Sequence, residues 1–267
     1  MTLRVRPHAP DATGCVLDIT PDSAGWQHVG FKMVVLAPGQ PLAGRDDGRE
    51  TCLVILSGVA DIVAGTHRWT GQGGRASVFE DRPPAAAYVP AGTAWCVEAG
   101  SRVELAICTA PGEDGLPPRL IDPAAMSREV RGQGTNQRFV RNILPETEPA
   151  CGLLVVEVIT PGGHWSSYPP HKHDRDTPGE ETMLEETYYH RLDPPQGFAF
   201  QRVYTDDRSI DEAIAVEDGD VVMVPRGYHP VGAPHGYDLY YLNVMAGPRR
   251  QWMFRNDPAH DWIVRRA

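Results

Sequence analysis

The sequence predicts an all-β protein in which one fold is used twice in tandem. Three observations carry that expectation. The 267 residues include 25 Pro and 27 Gly, which disfavours long helices and suits many tight turns. Short apolar runs such as CLVIL, AAAYV and VVMV end at Pro-x-Gly or Ser-Gly signals, the pattern of strands between turns. Landmarks of the first half then recur in order in the second. LAPGQ from Leu36 matches ITPGG from Ile159, Glu50-Thr51 matches Glu186-Thr187, and Val89-Pro90-Ala91-Gly92 matches Val224-Pro225-Arg226-Gly227. The second copy carries an extra loop between the first two landmarks.

In chain order, WQHVGFKMVVLAPG gives a strand or two closing at a Pro-Gly turn, and ETCLVILSGVADIVAG gives two short strands around Ser-Gly. AAAYVPAGTAWCVEAG adds a strand, a turn and a strand, and VELAICTAP completes the first copy, residues 1–118. A linker at 119–137 follows, then the second copy at 138–267. The stretch REVRGQGTNQR sets arginines among Gly and polar residues; their forked donors could grip a carboxylate, and the bland alternative is a solvated face. In GFAFQRVYTDDRS, Phe198, Phe200, Arg202 and Tyr204 alternate onto one face. If that face is inward, Arg202 is a buried cation that needs an anion. GYDLYYLNVMAGP supplies the closing strand with Tyr240 and Tyr241.

Composition narrows the partners. With 35 acidic against 25 basic side chains and a formal net charge of -10, a nucleic-acid partner is disfavoured. No stretch approaches the roughly 18 apolar residues of a membrane span, and MTLRVRPHAPDATG has no apolar region behind its arginines. A soluble, cytoplasmic protein without a membrane partner is expected; a homo-oligomer is compatible with the sequence. Cys15, Cys52, Cys96, Cys108 and Cys151 show no CxxC spacing and are expected as buried, reduced thiols. There is no nucleotide-binding glycine motif.

The chemistry concentrates in YPPHKHDRDTPGEETMLEETYYHR, residues 168–191. On extended backbone His171 and His173 share a face and Lys172 turns away. Glu186 follows after an acidic loop, and His229 follows the turn of GDVVMVPRGYH. His171, His173, Glu186 and His229 form a mixed N/O set suited to one divalent ion: Zn2+ or Mn2+ first, with Fe2+, Ni2+ or Co2+ also admitted. Glu180, Glu181 and Glu185 also lie close in sequence; matching Glu-Thr to Glu-Thr selects Glu186 and turns Tyr188 and His190 inward. The first copy keeps Glu50 but has no histidine between Gln40 and Glu50, and Ala94 stands where the second has His229. It is expected to be a metal-free, structural copy, filled by apolar side chains and Trp95, with Glu50 a satisfied carboxylate.

The order HxH, Glu, then G-x5-P-x-G-x-H resembles the cupin family, which implies a bicupin of two jelly-roll-like barrels. Over most of its length the second half is similar to the 5-deoxy-glucuronate isomerases of bacterial myo-inositol catabolism, through SSYPPHKHD, LEETYYHR, QRVYTDDRS, VPRGYHPV and GYDLYYLNVMAGP. The first copy and REVRGQGTNQRFVRNILPE share that likeness. The general cupin motif places its Glu closer to HxH than here, where Asp174 to Glu185 intervene, a departure from that motif and not from this family. The resemblance implies the same four ligands and an aldose-ketose isomerase acting on a small sugar acid. Its close alternative is 5-keto-4-deoxyuronate isomerase; a metal-dependent dioxygenase and a sugar-acid binding protein are the competitors of other classes.

Moving a hydrogen between adjacent carbons builds negative charge on two neighbouring oxygens, which a divalent cation stabilises. A base must reach that carbon on the enediolate route, and Tyr188, His190, Tyr240 and Tyr241 are the candidates. The substrate carboxylate needs a cation remote from the metal. Arg202 and Arg226 are the candidates, with the linker arginines behind them.

Overall fold

The computed structural model describes residues 2–265. Strands take up 48% of the chain and helices 4%, so the all-β expectation holds. No described helix is long and apolar enough to cross a membrane. Two compact units are present, one formed by Pro7–Ser127 with Asn142–Val155, the other by the chain up to Arg6, Arg128–Arg141 and the chain from Val156.

In the first unit a six-stranded sheet runs in the order Arg119–Ile121, Ala85–Val89, Arg49–Ser57, Val103–Pro111, Gly30–Leu36, Cys15–Ile19. A four-stranded sheet runs Pro41–Gly44, Trp95–Ala99, Val59–Ala64, His67–Gly73. Neighbours are antiparallel, and Val34, Leu53, Ile55, Ile62, Val97 and Leu105 form a shared apolar core. This is a jelly-roll-type double sheet. Trp95 joins that core as expected, and a cavity of about 460 Å³ lies beside it, lined in part by Phe31, Thr51, Trp95 and Thr109.

The second unit repeats the plan. Its large sheet runs Arg4–Val5, Val221–Val224, Glu185–Asp193, Asp238–Ala246, Leu154–Thr160, Arg138–Leu144, Arg128–Arg131; its smaller sheet runs Trp165–Ser166, Val231–Gly232, Ala199–Tyr204, Asp211–Val216. The short strand His171–Lys172 pairs with Arg255–Asn256.

The segment boundaries differ from those expected at 118 and 138. Arg119–Ile121 pairs with Ala85–Val89, Arg128–Arg131 pairs with Arg138–Leu144 in the other unit, and Arg4–Val5 joins that unit through Val221–Val224. Unpaired strand edges recruit whatever segment can satisfy their amides and carbonyls, and a one-dimensional pattern does not name that segment. All five thiols are unbridged, but Cys151 is exposed and Cys96 half-buried.

Strand register corrects the internal alignment. Thr51 pairs with Val89 as Glu186 pairs with Val224, so the counterpart of Glu186 is Thr51 and not Glu50. Leu53 and Ile55 face the core with Thr51, while Glu50 has the opposite parity. The repeat of Glu-Thr is therefore a coincidence of one residue's shift, and neither Glu186 nor His229 has a ligand at its counterpart. Glu50 is fully buried and accepts from the amides of Cys151 (2.7 Å), Gly152 (2.6 Å) and Leu153 (2.6 Å) and from the Tyr88 hydroxyl (2.7 Å). It is the satisfied structural carboxylate expected. Glu50→Ala strands those four donors and should lower the unfolding free energy by at least about 3 kcal/mol, read as an earlier urea midpoint at unchanged slope. An unchanged midpoint would show that water replaces the carboxylate.

Candidate metal centre and active site

Alternation along Glu185–Asp193 sends Glu186, Tyr188 and His190 to the inner face of the second unit. Val224-Pro225-Arg226-Gly227 then returns the chain toward them. Gly227 has φ of 93°, and a Cβ there would lie 2.5 Å from the Tyr204 carbonyl oxygen, so only glycine fits this turn. The Gly227 carbonyl accepts from His229 Nδ1 at 2.8 Å, and the Leu184 carbonyl from His173 Nδ1 at 3.2 Å. Each contact fixes the tautomer that turns an Nε2 lone pair inward.

Those lone pairs meet a carboxylate. Glu186 Oε2 lies 3.2 Å from His173 Nε2 and 3.2 Å from His229 Nε2. All three atoms are buried and lack a hydrogen-bond partner, and the group would fit around one ion. Burial pulls the Glu186 carboxyl up, but His173 and His229 outweigh it and hold its pKa below the ordinary value. Burial depresses His229, keeping its ring neutral. At His173 burial also disfavours a proton, yet the Glu186 carboxylate wins and raises the pKa; the same field favours a metal cation.

His171 stands outside this closest group. Its ring centroid is 5.0 Å from His229, 6.4 Å from His173 and 4.5 Å from Phe254, and burial followed by the other two histidines keeps it neutral. Lys172 turns the other way, as expected, and pairs with Asp174 at 3.0 Å and Asp206 at 2.6 Å. Glu181 accepts from the amides of Asp174 and Arg175 and ties the loop to the histidine strand.

The remaining predicted residues divide. Tyr188 and Tyr241 line a small inner chamber with Ser167, His171 and Asn243. Their hydroxyls hydrogen-bond Ser167 Oγ (3.1 Å) and Ser166 Oγ (2.5 Å), respectively, and burial raises both pKa values. His190 lies behind them, its Nε2 3.0 Å from Gln201 Oε1, and burial lowers its pKa to about 4. Tyr240 does not reach the chamber; the alternation that turns Tyr241 inward sends it to the opposite face, where it donates to Glu157 at 3.1 Å.

Neither predicted substrate arginine points inward. Ala199, Gln201 and Val203 are buried while Phe200 and Arg202 between them are exposed, and Arg202 pairs with Asp211 at 2.8 Å; of the expected inward face only Tyr204 is buried on this strand. Arg226 is exposed on its turn and donates to Ser209 Oγ at 3.2 Å. The arginines that do line the chamber are Arg131, from the expected linker, and Arg138, the first residue of the expected second copy, both within REVRGQGTNQR. Their arginine-rich setting was the available signal, but the face they share with Tyr188 exists only once Arg128–Arg131 and Arg138–Leu144 pair at the sheet edge.

The model for the KduI/IolB family matches residues 3–263. The chain belongs to that family. It is 55% identical over 262 residues to the 5-deoxy-glucuronate isomerase of Geobacillus kaustophilus (strain HTA426), covering 98% of this chain and 95% of that one. The crystal structure of an IolB-like protein from Salmonella typhimurium LT2 superposes with a TM-score of 0.96 at 49% identity, covering 99% and 100% of the two chains. The oxalate decarboxylase of Lactobacillus farciminis, solved as a formate complex, shares the fold at a TM-score of 0.67 and 13% identity, over 96% of this chain and 88% of that one.

Within this KduI/IolB chain, replacing His173, Glu186 or His229 by Ala should each cut divalent-metal content of purified protein by at least about tenfold. Exposed His67→Ala should leave it unchanged. Elemental analysis is the check, and full occupancy in all three site variants would exclude this centre.

Proposed function

We propose that this chain is a metal-dependent aldose-ketose isomerase that converts 5-deoxy-D-glucuronate to 5-dehydro-2-deoxy-D-gluconate in myo-inositol catabolism. The observation that carries the metal reading is the meeting of three buried, unsatisfied ligand atoms from His173, Glu186 and His229. His171, beside His229, is proposed as the fourth ligand. The name of the Geobacillus relative supports the substrate assignment.

The donor set suits Zn2+ or Mn2+. When bound, such an ion supplies Lewis acidity that stabilises charge on neighbouring substrate oxygens. Glu186, His173 and His229 would present their lone pairs to that ion. Tyr188 and Tyr241 stay protonated near neutral pH, because burial raises both, and so act as hydrogen-bond donors on the chamber wall. Ser167 and Ser166 fix the directions of those hydroxyls. His190 and Gln201 support the Tyr188 side from behind, and Gln201 Nε2 also donates to the His229 carbonyl at 3.4 Å. The first unit is proposed to be structural, with Thr51 and Ala94 where the second carries Glu186 and His229.

Chelation should abolish conversion of 5-deoxy-D-glucuronate, and added Zn2+ or Mn2+ should restore it. Activity persisting in metal-free protein would overturn the metal role; a clear preference for 5-keto-4-deoxyuronate would change the substrate assignment. Tyr188→Phe should lower kcat by about a hundredfold or more while retaining metal content. An unchanged kcat would remove that phenol from the chemistry.

A further inference from the structure

Arg138 opens the strand Arg138–Leu144, directly after the turn Gly134–Asn136. Its side chain lines both the inner chamber, with Tyr188, Tyr241 and Asn243, and an outer cleft of about 600 Å³, with Tyr168, Phe254 and Asn256. His171 is the other residue common to both, so the two stand where the cleft meets the chamber. The turn is shaped around the guanidinium. Gly132 has φ of 76°, and a Cβ there would lie 2.2 Å from the Asn136 carbonyl oxygen and 2.9 Å from Arg138 Nη1.

Arg138 Nη1 donates to the Asn136 carbonyl at 3.1 Å and the Tyr168 carbonyl at 3.4 Å. These contacts fix the group and leave its Nε and Nη2 donors for a ligand. Among the described residues no carboxylate lies within ion-pair distance of it. The neighbouring arginines differ: Arg131 pairs with Glu129 at 2.8 Å and lies over Trp252, and Arg141 pairs with Glu157 at 2.6 Å. Burial lowers the Arg138 pKa, which marks a cation held in partly dehydrated surroundings. A half-buried guanidinium with a free fork and no internal anion is a carboxylate receptor by its chemistry.

We propose that Arg138 holds the substrate carboxylate at the mouth of the chamber and thereby selects uronates over uncharged aldoses. The proposal rests on the isomerase reading above. The aldehyde and carboxylate of a uronate occupy opposite ends of its six-carbon chain. Anchoring the carboxylate at Arg138 directs the aldehyde end inward, past Tyr188 and Tyr241. An uncharged aldose would leave the guanidinium unpaired, a penalty that favours the acid.

The test compares wild-type protein, Arg138→Gln and Arg138→Lys, all metal-loaded. D-glucuronate and D-glucose serve as calorimetric binding probes, and kcat/KM is measured for 5-deoxy-D-glucuronate. Arg138→Gln should weaken D-glucuronate binding and lower kcat/KM by about 10- to 150-fold, with D-glucose binding within twofold of wild type and metal content unchanged. Arg138→Lys should recover part of the loss. Arg202→Gln, on the outer face, should match wild type. The proposal is overturned if Arg138→Gln binds D-glucuronate within twofold of wild type, if it loses both probes equally, or if wild-type protein holds D-glucuronate no better than D-glucose. Selective loss of D-glucuronate binding in a chain that does not isomerise 5-deoxy-D-glucuronate would uphold the receptor and reject the isomerase reading.

Discussion

Three lone pairs are brought together out of water in the second unit, on His173 Nε2, His229 Nε2 and Glu186 Oε2, and none has a hydrogen-bond partner. Leaving a buried polar group unpaired costs about 1–3 kcal/mol, so the surrounding sheet must impose this convergence. Glu186 is held between two strand neighbours, Val224 and Met245. His229 is set by a glycine turn whose carbonyl orients its ring, and His173 is set by the Leu184 carbonyl immediately before the Glu186 strand. A divalent ion would satisfy all three atoms together, whereas no single proton could.

The first unit shows that the frame does not need those ligands. It repeats the paired sheets, yet Thr51 and Ala94 occupy the positions of Glu186 and His229, and an apolar core supports it. Its buried carboxylate, Glu50, faces the other way and organises the amides of Cys151, Gly152 and Leu153. One architecture thus spends a buried carboxylate on structure in one unit and offers another to a cation in the other.

Charge pairing separates Arg138 from the arginines near it and from Arg202. Arg131, Arg141 and Arg202 each meet a carboxylate. Among the described residues, Arg138 hydrogen-bonds only backbone carbonyls, at the entrance to a chamber walled by two protonated phenols. A cation in that setting gains most from an anion arriving with the substrate.

The sequence alone determined the all-β class, the duplication and the candidate ligands, because turn residues, apolar runs and ligand types are local properties of the chain. It also set the shared parity of Glu186, Tyr188 and His190, since alternation is intrinsic to a strand. It picked out Glu186, which the structure places beside His173 and His229, through a faulty match, because equal dipeptides can align while their strand registers differ by one residue. Parity relates neighbours on a strand but does not say which face the second sheet covers. That decision belongs to sheet packing, and it put Arg202 and Tyr240 outside the chamber while leaving Tyr241 inside. Edge pairing, which depends on distant backbone groups needing partners, turned an apparent linker into strands and carried Arg138 to the site.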